Sequence, residues 1–359
     1  MSNTLKNSAA FEHFVPCTKA IISEYLIARP GETKLGEVIS VPEDDDLRLF
    51  LQSTTAIFVV VGIAEDIGVL ANNGRPGTST AWQSFFTAFV NIQFNRFTST
   101  PVAIAGHFNF DKLKKDAESK TSDSNITIDL YRKAVEKIDE EVAGIIHLIV
   151  SAGKIPIVIG GGHNNAYPII KGAAQASGQT AINAVNLDAH IDYRQREGRH
   201  SGNGFRYAKE EGYLEKYFVV GLHENYLPES ILSELSENEE VKFVTFEEIF
   251  VRHGMTWDQA LEKASIFVGG SSLTGIELDL DCLENLESSA ATPVGLTSRE
   301  ALQFVHRMGT KTTAAYVHIC EGISSPQSRL TGKLISYVVC EFIRAVSAKR
   351  SADVLQTRP

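Results

Sequence analysis

Short runs of apolar, β-branched residues recur along this chain and alternate with stretches of helical periodicity. Glycine or polar residues bound each run, as is typical of buried strands. The seven runs cover residues 56–61, 156–159, 181–187, 218–220, 241–245, 275–280 and 314–319. The longest helical pattern, residues 128–152, places its apolar side chains on one stripe. This alternation predicts an α/β fold with three layers, α/β/α, around a mostly parallel sheet.

The composition is typical of a globular protein with a sizeable core, since 43% of the 359 residues are hydrophobic and 22% are charged. No internal repeat or proline-rich linker divides the chain, so we predict a single domain over residues 1–359. Residues 1–50 are expected to form an N-terminal extension packed on that domain. Residues 111–125, rich in lysine, acids and serine, are expected to form an exposed loop within it.

The charge and the cysteines exclude several classes of protein. A formal net charge of -10 argues against a nucleic-acid partner, which would require clustered Lys and Arg. The four cysteines are widely spaced and form no CxxC pair, so neither a disulfide framework nor a zinc knuckle is indicated. The N-terminus lacks the pattern of a secretory signal, and no apolar run is long enough to cross a membrane. A cytoplasmic protein without a membrane partner is predicted.

Three segments that carry acids and histidines each follow a predicted strand: residues 157–163, 185–192 and 275–281. Open parallel sheets place their ligand sites at the carboxyl ends of the strands. Residues two apart in an extended segment also point to the same side. The acids and histidines of these segments are therefore predicted to converge. They are His163, Asp188, His190, Asp192, Asp279 and Asp281.

A dinuclear metal site is the simplest interpretation of this set. Carboxylates at the ends of apolar strands are costly to bury unless their charge is offset. Four aspartates carry four negative charges, which match two divalent ions, and two imidazoles complete the donors. Such a set suits Mn²⁺ or a similar ion better than structural zinc. Each motif alone is also compatible with a tight turn, a helix cap or a pair with arginine, but the three together favour metal.

The three motifs, in this order, resemble the metal motifs of the arginase, agmatinase and formimidoylglutamase superfamily over roughly residues 55–345. The resemblance implies an arginase-like fold and two ions, with Mn²⁺ expected, that activate a water to hydrolyse a C–N bond of a linear amidine. It implies one ion held by His163, Asp188, Asp192 and Asp279, and a second held by Asp188, His190, Asp279 and Asp281. Asp188 and Asp279 would bridge. A homo-oligomer is a further expectation from the family likeness.

The resemblance also implies catalytic roles for two residues outside the metal motifs. Glu321 matches a glutamate that contacts the amidine or guanidine group in the family. His200, in the loop after the second motif, is the nearest candidate for the histidine that often transfers a proton. The alternatives are a solvated loop glutamate and a surface histidine. Ser201 and Asn203 lie in a stretch similar to the one that receives an amino-acid carboxylate in related enzymes.

The loop after the second motif is rich in arginine, which favours an acidic substrate because the planar guanidinium binds carboxylates with two hydrogen bonds. The arginines are Arg194, Arg196, Arg199 and Arg206. The alternative is that some of them pair with Glu197, Glu210 or Glu211 on a solvated face. Arg75 is a further candidate, because residues 72–77 are similar to a substrate-side loop of formimidoylglutamases, although a simple glycine-proline turn fits the same residues.

Hydrolysis of N-formimidoyl-L-glutamate to glutamate and formamide is the first hypothesis. An arginase, agmatinase or guanidino-acid hydrolase is the alternative within the class, and a non-catalytic arginase-fold protein with a metal-binding or regulatory role is the alternative outside it. The third motif lacks the final Asp-Pro of the usual DxDxxDP signature, which leaves the metal ligands intact and the substrate open. Cys282 beside Asp281 is either redox-sensitive or a buried, inert thiol.

Overall fold

The computed structural model describes residues 11–43, 46–120, 123–325 and 329–356. The described strands are β1 Phe14–Pro16, β2 Phe58–Ala64, β3 Val102–Asn109, β4 Ile155–Ile159, β5 Ile182–Leu187, β6 Leu214–Leu222, β7 Val241–Thr245, β8 Leu273–Asp279 and β9 Thr313–Cys320. They form one sheet in the order β1-β3-β2-β4-β9-β8-β5-β6-β7. β1 is antiparallel to β3, and every other pair is parallel.

Helices cover both faces of this sheet. They are α1 Lys19–Tyr25, α2 Leu35–Val38, α3 Leu47–Ser53, α4 Ile67–Leu70, α5 Thr80–Phe89, α6 Asp111–Glu118, α7 Ser124–Ser151, α8 Ala166–Ser177, α9 Gly204–Glu210, α10 Glu229–Ser236, α11 Trp257–Val268, α12 Ser298–Lys311 and α13 Leu330–Gln356. Alternate residues of β2 enter two different apolar clusters: Val60 belongs to the cluster that contains residues of α5, α11, α12 and α13, and Val59 belongs to the cluster that contains residues of α7 and α8. The predicted α/β/α layering is confirmed.

The seven predicted strands are all present, with ends shifted by up to four residues. β1 and β3 were not predicted, because β1 has only three residues and Gly106 interrupts the apolar run of β3. The predicted loop over residues 111–125 is wrong for its first part, which forms α6. That helix is almost entirely polar and buries one side chain, Ala117, in the core, so an apolar stripe was missing from its sequence.

The N-terminal part packs on the sheet from residue 11 onward. β1 pairs with β3, and Ile22, Leu35 and Ile39 belong to the apolar core. Residues 1–10 and 44–45 lie outside the described parts. The single-domain boundary stays a prediction. Among the described helices, none combines the length and the apolar character that a bilayer crossing requires.

Four neighbouring strands in the middle of the sheet determine where a site can form. β4, β9, β8 and β5 are adjacent and parallel, so their carboxyl ends meet at one edge. The residues that follow these strands include His163, Glu321 and Asp188, and Asp279 is the last residue of β8. Segments far apart in the sequence thus place polar side chains side by side.

Candidate metal centre and active site

The first group of ligand-type side chains surrounds Nδ1 of His163, which begins a short 3₁₀ helix, His163–Asn165, after β4. That nitrogen lies 2.8 Å from Asp192 Oδ2, 3.1 Å from Asp279 Oδ2 and 3.3 Å from Asp188 Oδ2. One imidazole nitrogen and three carboxylate oxygens lie within 4.8 Å of one another. A single ion can therefore contact all four atoms.

A second group adjoins the first and shares Asp188 with it. His190 Nδ1 lies 3.0 Å from Asp281 Oδ2 and 3.7 Å from Asp188 Oδ1. The two oxygens of Asp188 thus face different histidines, as expected of a bridging carboxylate. Asp279 belongs to the first group only, and its second role as a bridge stays a prediction. We call the six side chains of both groups the metal cage: His163, Asp188, His190, Asp192, Asp279 and Asp281.

The polar contacts inside the metal cage fit bound cations. Both ring nitrogens of His163 and Oδ1 of Asp281 are buried without a hydrogen-bond partner in the described structure. Within the described residues, the cage aspartates form ion pairs with histidines and with no lysine or arginine. Four carboxylates beside two imidazoles leave negative charge that is costly to bury without cations. The donor types suit Mn²⁺.

Two residues of the site adopt a backbone conformation that is rare outside glycine. Asp192 has φ 46° and Glu321 has φ 60°. The turn before His163 requires glycine, because Gly161 has φ 76° and an added Cβ would lie 2.9 Å from Glu65 Oε1. Left-handed conformations at non-glycine residues persist only where the surrounding structure enforces them, and they cluster at functional sites.

Behind His163 lies a buried acid that was not predicted. Glu277 stands on β8 two residues before Asp279 and is fully buried. It accepts hydrogen bonds from Tyr316 Oη at 2.6 Å and His318 Nδ1 at 2.7 Å, and its Oε2 lies 3.5 Å from His163 Nε2. Burial by itself raises the pKa of this carboxyl, but the hydrogen bond from His318 and the charges of His318 and His163 hold it at about 2. A further negative charge therefore stands behind the metal cage.

Glu321 follows β9 and lines the same cavity as the metal cage. Its Oε1 accepts a hydrogen bond from the backbone N–H of His163 at 2.7 Å. Its Oε2 is buried and has no hydrogen-bond partner in the described structure. Burial raises the pKa of this carboxyl to about 8. A carboxyl group held in this way offers one free oxygen to an N–H group of a ligand.

A cavity of about 490 Å³ opens onto the metal cage, and its size suits a small molecule. Its polar floor and walls include His190, Asp192, Asp279, Asp281, Glu321, Asn72, Arg194, Gln195, Glu197, Ser201, Gly202, Tyr226 and Ser289. Among the described lining residues, Arg194 is the only lysine or arginine. The described lining of the cavity therefore contains one permanently positive side chain, Arg194, together with the carboxylates of the metal cage.

A model of the arginase family matches residues 56–343, a range that contains the whole metal cage and Glu321. The chain belongs to the arginase family. The match begins just before β2 and ends within α13, so it covers the sheet from β2 to β9. The resemblance that the three motifs predicted is confirmed by this match.

The chain is also similar to individual proteins whose names state an activity. The formimidoylglutamase of Macrococcus caseolyticus is 26% identical over 288 residues, which are 78% of this chain and 83% of that protein. A crystal structure of Trypanosoma cruzi formiminoglutamase with Mn²⁺ matches with a TM-score of 0.64 and 21% identity, over 88% of this chain and 100% of that chain. A hypothetical agmatinase from Burkholderia thailandensis matches with a TM-score of 0.67 and 18% identity, over 91% and 97%. At such identities the structural likeness shows the fold alone.

Arg199, predicted to bind substrate, is buried away from the cavity of this arginase-family chain. Its Nε and Nη2 donate to the Asp139 carboxylate on α7 at 2.7 and 3.1 Å, and its Nη1 donates to Asn203 Oδ1 at 2.8 Å. Its guanidinium also packs over the ring of Tyr167. Asn203 Oδ1 in addition accepts from the backbone N–H of His200 at 3.2 Å. The geometry favours a structural role for Arg199 and Asn203, because their polar groups already hold the loop together, and their substrate contacts stay an untested prediction.

Two further arginines of the loop are likewise paired inside the protein. Arg206 donates two hydrogen bonds to Glu234 on α10, at 2.5 and 2.7 Å, and lies over the ring of Tyr193. Arg196 donates to Glu211 at 3.0 Å. Neither side chain lines the cavity. The geometry therefore favours the acid-pairing alternative for both residues, and the substrate contact of Arg206 stays an untested prediction.

Two of the predicted substrate-binding residues, Arg194 and Ser201, do line the cavity. The Arg194 side chain is 57% exposed and donates to Glu197 at 3.1 Å. Ser201 Oγ accepts a hydrogen bond from Asn72 Nδ2 at 3.2 Å. Arg75 is equally exposed but lies outside the lining, although its loop contributes Asn72. Two of the six predicted substrate-binding residues thus line the cavity, and their contact with a substrate stays a prediction.

His200 is buried beneath the loop and does not line the cavity. Its Nδ1 accepts a hydrogen bond from the Gly202 N–H at 3.1 Å, and its Nε2 lies 3.2 Å from Glu197 Oε1. Burial lowers the pKa of His200 to about 4, so the ring is neutral at pH 7. The predicted proton transfer by His200 stays a prediction, and the geometry favours a structural role.

Two unpredicted residues flank the histidines of the metal cage. The Tyr226 ring stacks on the His190 ring, with centroids 4.9 Å apart and planes at 13°. No sequence motif predicts this contact. Glu277 had a usable signal, because the period-2 alternation that aligns Asp279 with its neighbours puts Glu277 on the same side of β8. Glu277 lies inside β8 rather than at its end, so the rule that places ligand sites at strand ends does not point to it.

The thiol of Cys282 is buried beside the metal cage. Its Sγ donates to the backbone oxygen of Asp279 at 2.9 Å, and burial raises its pKa well above the usual range. A thiol that remains protonated and inaccessible is a poor nucleophile. The inert interpretation of Cys282 is therefore favoured over a redox role.

Proposed function

We propose that this protein is a dinuclear, Mn²⁺-dependent hydrolase of linear amidine C–N bonds, with N-formimidoyl-L-glutamate as its substrate. The observation that carries the proposal is the metal cage beside a cavity into which Glu321 presents a buried, unpartnered oxygen. Cage and acceptor together match what an amidine requires: activation of water and recognition of a planar group of N–H donors. The names of relatives and of a Mn²⁺-bound neighbour support the same class.

Two ions in the metal cage would supply Lewis-acid activation of a water molecule. They would be held by His163, Asp188, Asp192 and Asp279 on one side and by Asp188, His190 and Asp281 on the other, with Asp279 reaching both as proposed from the family. The chain then has to hold the substrate still, which by itself can contribute strongly to the rate. The cavity floor and Glu321 provide that surface.

Glu321 is proposed to orient the amidine group. Its Oε1 is fixed by the His163 N–H, so the carboxylate cannot rotate freely, and Oε2 remains for a substrate N–H. A cationic amidinium would also offset the burial that raises the pKa of this carboxyl. The reacting carbon is thereby held beside the cage, while Tyr226 and Ser289 close the walls.

The substrate's acidic end is assigned to Arg194, with Ser201 and Asn72 as neutral hydrogen-bonding neighbours. Arg199 and Arg206 pair with Asp139 and Glu234 inside the protein, so these two arginines give no support for an acidic substrate. Formimidoylglutamate is preferred here because curated relatives carry that activity in their names. A guanidino-acid or agmatine hydrolase is the second candidate, favoured by the single cavity arginine and by the agmatinase-named neighbour.

A cytoplasmic location is part of the same proposal, and the state of the cysteines supports it. All four cysteines are free, and three of them are buried, which is consistent with a reducing cytoplasm. The homo-oligomer expected from the family stays a prediction.

The test is a turnover assay of Mn²⁺-loaded protein against formimidoyl-L-glutamate, arginine, agmatine and guanidinobutyrate in parallel, with metal content measured on the same sample. We expect two ions per chain and a clear preference for formimidoylglutamate. Glu321→Gln is the matched variant: it should keep both ions and lose about 100-fold in turnover, since it weakens the orienting contact. Two bound ions with all four compounds inert would overturn the proposed function.

A further inference from the structure

Glu277 is a buried acid behind the metal cage that the proposed chemistry does not use. Both of its oxygens have partners on the neighbouring strand β9: Oε1 accepts from Tyr316 Oη at 2.6 Å, and Oε2 accepts from His318 Nδ1 at 2.7 Å. The third polar atom near it is His163 Nε2, 3.5 Å from Oε2. That nitrogen belongs to the edge of the ring that does not face the cage carboxylates.

The position of this acid is selective between the two histidines of the cage. His163 is fully buried, has Glu277 behind it, and directs Nδ1 at three aspartates. The His190 side chain is 30% exposed and is backed by the stacked ring of Tyr226. A carboxylate behind a metal-bound imidazole fixes the ring orientation and raises the basicity of the ligand nitrogen. Only the His163 side of the centre has such a group among the described residues.

We propose that Glu277 is a positioning residue of the metal centre, which holds the His163 ring with Nδ1 toward the cage and thereby strengthens binding of one of the two ions. When His163 Nδ1 ligates an ion, its Nε2 carries the proton, and Glu277 Oε2 is the carboxylate oxygen on that side, 3.5 Å away. Tyr316 and His318 keep the carboxylate in place. The inference rests on the proposed two-ion centre and is independent of the substrate.

A purely structural role for Glu277 makes a different prediction. Its hydrogen bonds join β8 to β9, so they could serve the sheet alone. In that case the loss of the carboxylate would lower the stability of the metal-free protein and affect both ions alike. A positioning role instead separates the two ions.

The experiment is a Mn²⁺ titration of the full chain, in which the electron paramagnetic resonance signal of free Mn²⁺ measures binding. It compares the wild type, Glu277→Gln and Tyr316→Phe. In Glu277→Gln we expect one ion to bind 10- to 100-fold more weakly, by roughly the effect of removing a partner of a metal-bound histidine, with the other unchanged. Tyr316→Phe removes a hydrogen bond to the same carboxylate but leaves the charge beside His163, so its loss of affinity should be smaller.

Unfolding of the metal-free proteins is measured alongside as the structural readout. Wild-type affinity for both ions in Glu277→Gln overturns the proposal, and so does an equal weakening of both ions in both variants that parallels their loss of stability. If Glu277→Gln does not fold, Glu277→Asp replaces it in the experiment, because the shorter side chain moves the carboxylate away from His163 by the length of one methylene group. The same ion should then weaken, and wild-type binding of both ions would overturn the proposal.

The readout is binding, so its outcome is separable from the proposed function. Wild-type protein that binds two ions and hydrolyses none of the four compounds would overturn the substrate assignment and leave the role of Glu277 standing.

Discussion

The strand ends and the loop over residues 193–206 are both dense in charge, but they use it in opposite ways. At the strand ends, the carboxylates of two segments, residues 185–192 and 275–281, lie close together and form ion pairs with the imidazoles of His163 and His190. In the loop, three arginines find acids on other elements: Arg199 on α7, Arg206 on α10 and Arg196 just beyond α9. Charge left unpaired by the protein indicates a ligand, whereas charge paired inside the protein indicates scaffold.

The comparison teaches that residue type alone does not separate a binding group from a structural one. Arg194 and Arg199 lie five positions apart in one loop, yet one lines the cavity and the other is buried with Asp139. Both arginines have an acidic partner, but the partner of Arg199 is buried on α7, whereas the partner of Arg194, Glu197, is exposed in the same loop. The following variants test whether charged groups of the two regions differ in this way, from the largest expected effect to the smallest.

The largest effect is expected from Asp188→Asn at the strand ends. Both oxygens of Asp188 face cage histidines, so its loss should cost at least one ion and reduce turnover by ~10³-fold, because several kcal/mol of metal-dependent stabilisation disappear. Metal content and turnover are measured together. Asp258→Asn, which alters an exposed carboxylate paired with Arg307, is the control and should match the wild type. Full activity in Asp188→Asn would contradict a dinuclear centre.

Arg199→Met tests the scaffold side of the comparison. It leaves Asp139 buried without its cation, and breaking such a pair costs ~3–5 kcal/mol of unfolding free energy. Urea denaturation at pH 7 measures the loss, and metal content should not change. The control Arg196→Met removes a partly exposed pair with Glu211 and should cost less than ~1 kcal/mol. If Arg199→Met has wild-type stability and a raised KM, Arg199 contacts the substrate and the structural role is contradicted.

The stability of the loop should depend on pH through His200. Its pKa in the folded protein is about 4, lowered by burial, while the unfolded chain binds a proton near pH 6.5. The stabilisation is therefore complete above pH 6.5 and is lost as the pH falls toward 4, by roughly 3 kcal/mol. The unfolding free energy of the wild type should fall more steeply over this range than that of His200→Asn. Parallel curves would show that His200 is not buried in this way.

Arg194→Ala should give the smallest effect, confined to the substrate. Its side chain is exposed and its partner Glu197 is too, so stability should not change. One charged hydrogen bond to a substrate carboxylate is worth ~1.5 kcal/mol, so KM should rise about tenfold with kcat retained. Arg75→Ala, a variant of an arginine outside the cavity, is the control. An unchanged KM for Arg194→Ala would contradict the proposal that Arg194 binds an acidic group of the substrate.

The sequence could predict the metal cage because strand periodicity and parallel packing determine where Asp188, His190 and Asp279 point. Those rules are local and need no knowledge of other elements. The partners of Arg199 and Arg206 could not be predicted in this way, because they lie 60 and 28 residues away in the sequence. Tertiary contacts of that kind are decided by helix packing.

The same limit explains the errors in the fold. α6 lacks an apolar stripe because it lies at the surface with only Ala117 buried, so its charged sequence is compatible with a loop. β3 carries Gly106 and His107 inside an otherwise apolar run. In both cases a neighbouring element stabilises the structure, and that neighbour is not visible in the local pattern.

The most direct test of the central claim is anomalous scattering from Mn²⁺-soaked crystals of the protein. The metal cage predicts two peaks, one beside His163 and one beside His190, with Asp188 next to both. A further group of potential ligands, His163, His318 and Cys320, lies on the other side of the His163 ring. Occupation of that group instead, or a single peak at saturating Mn²⁺, would contradict the two-ion centre at the strand ends.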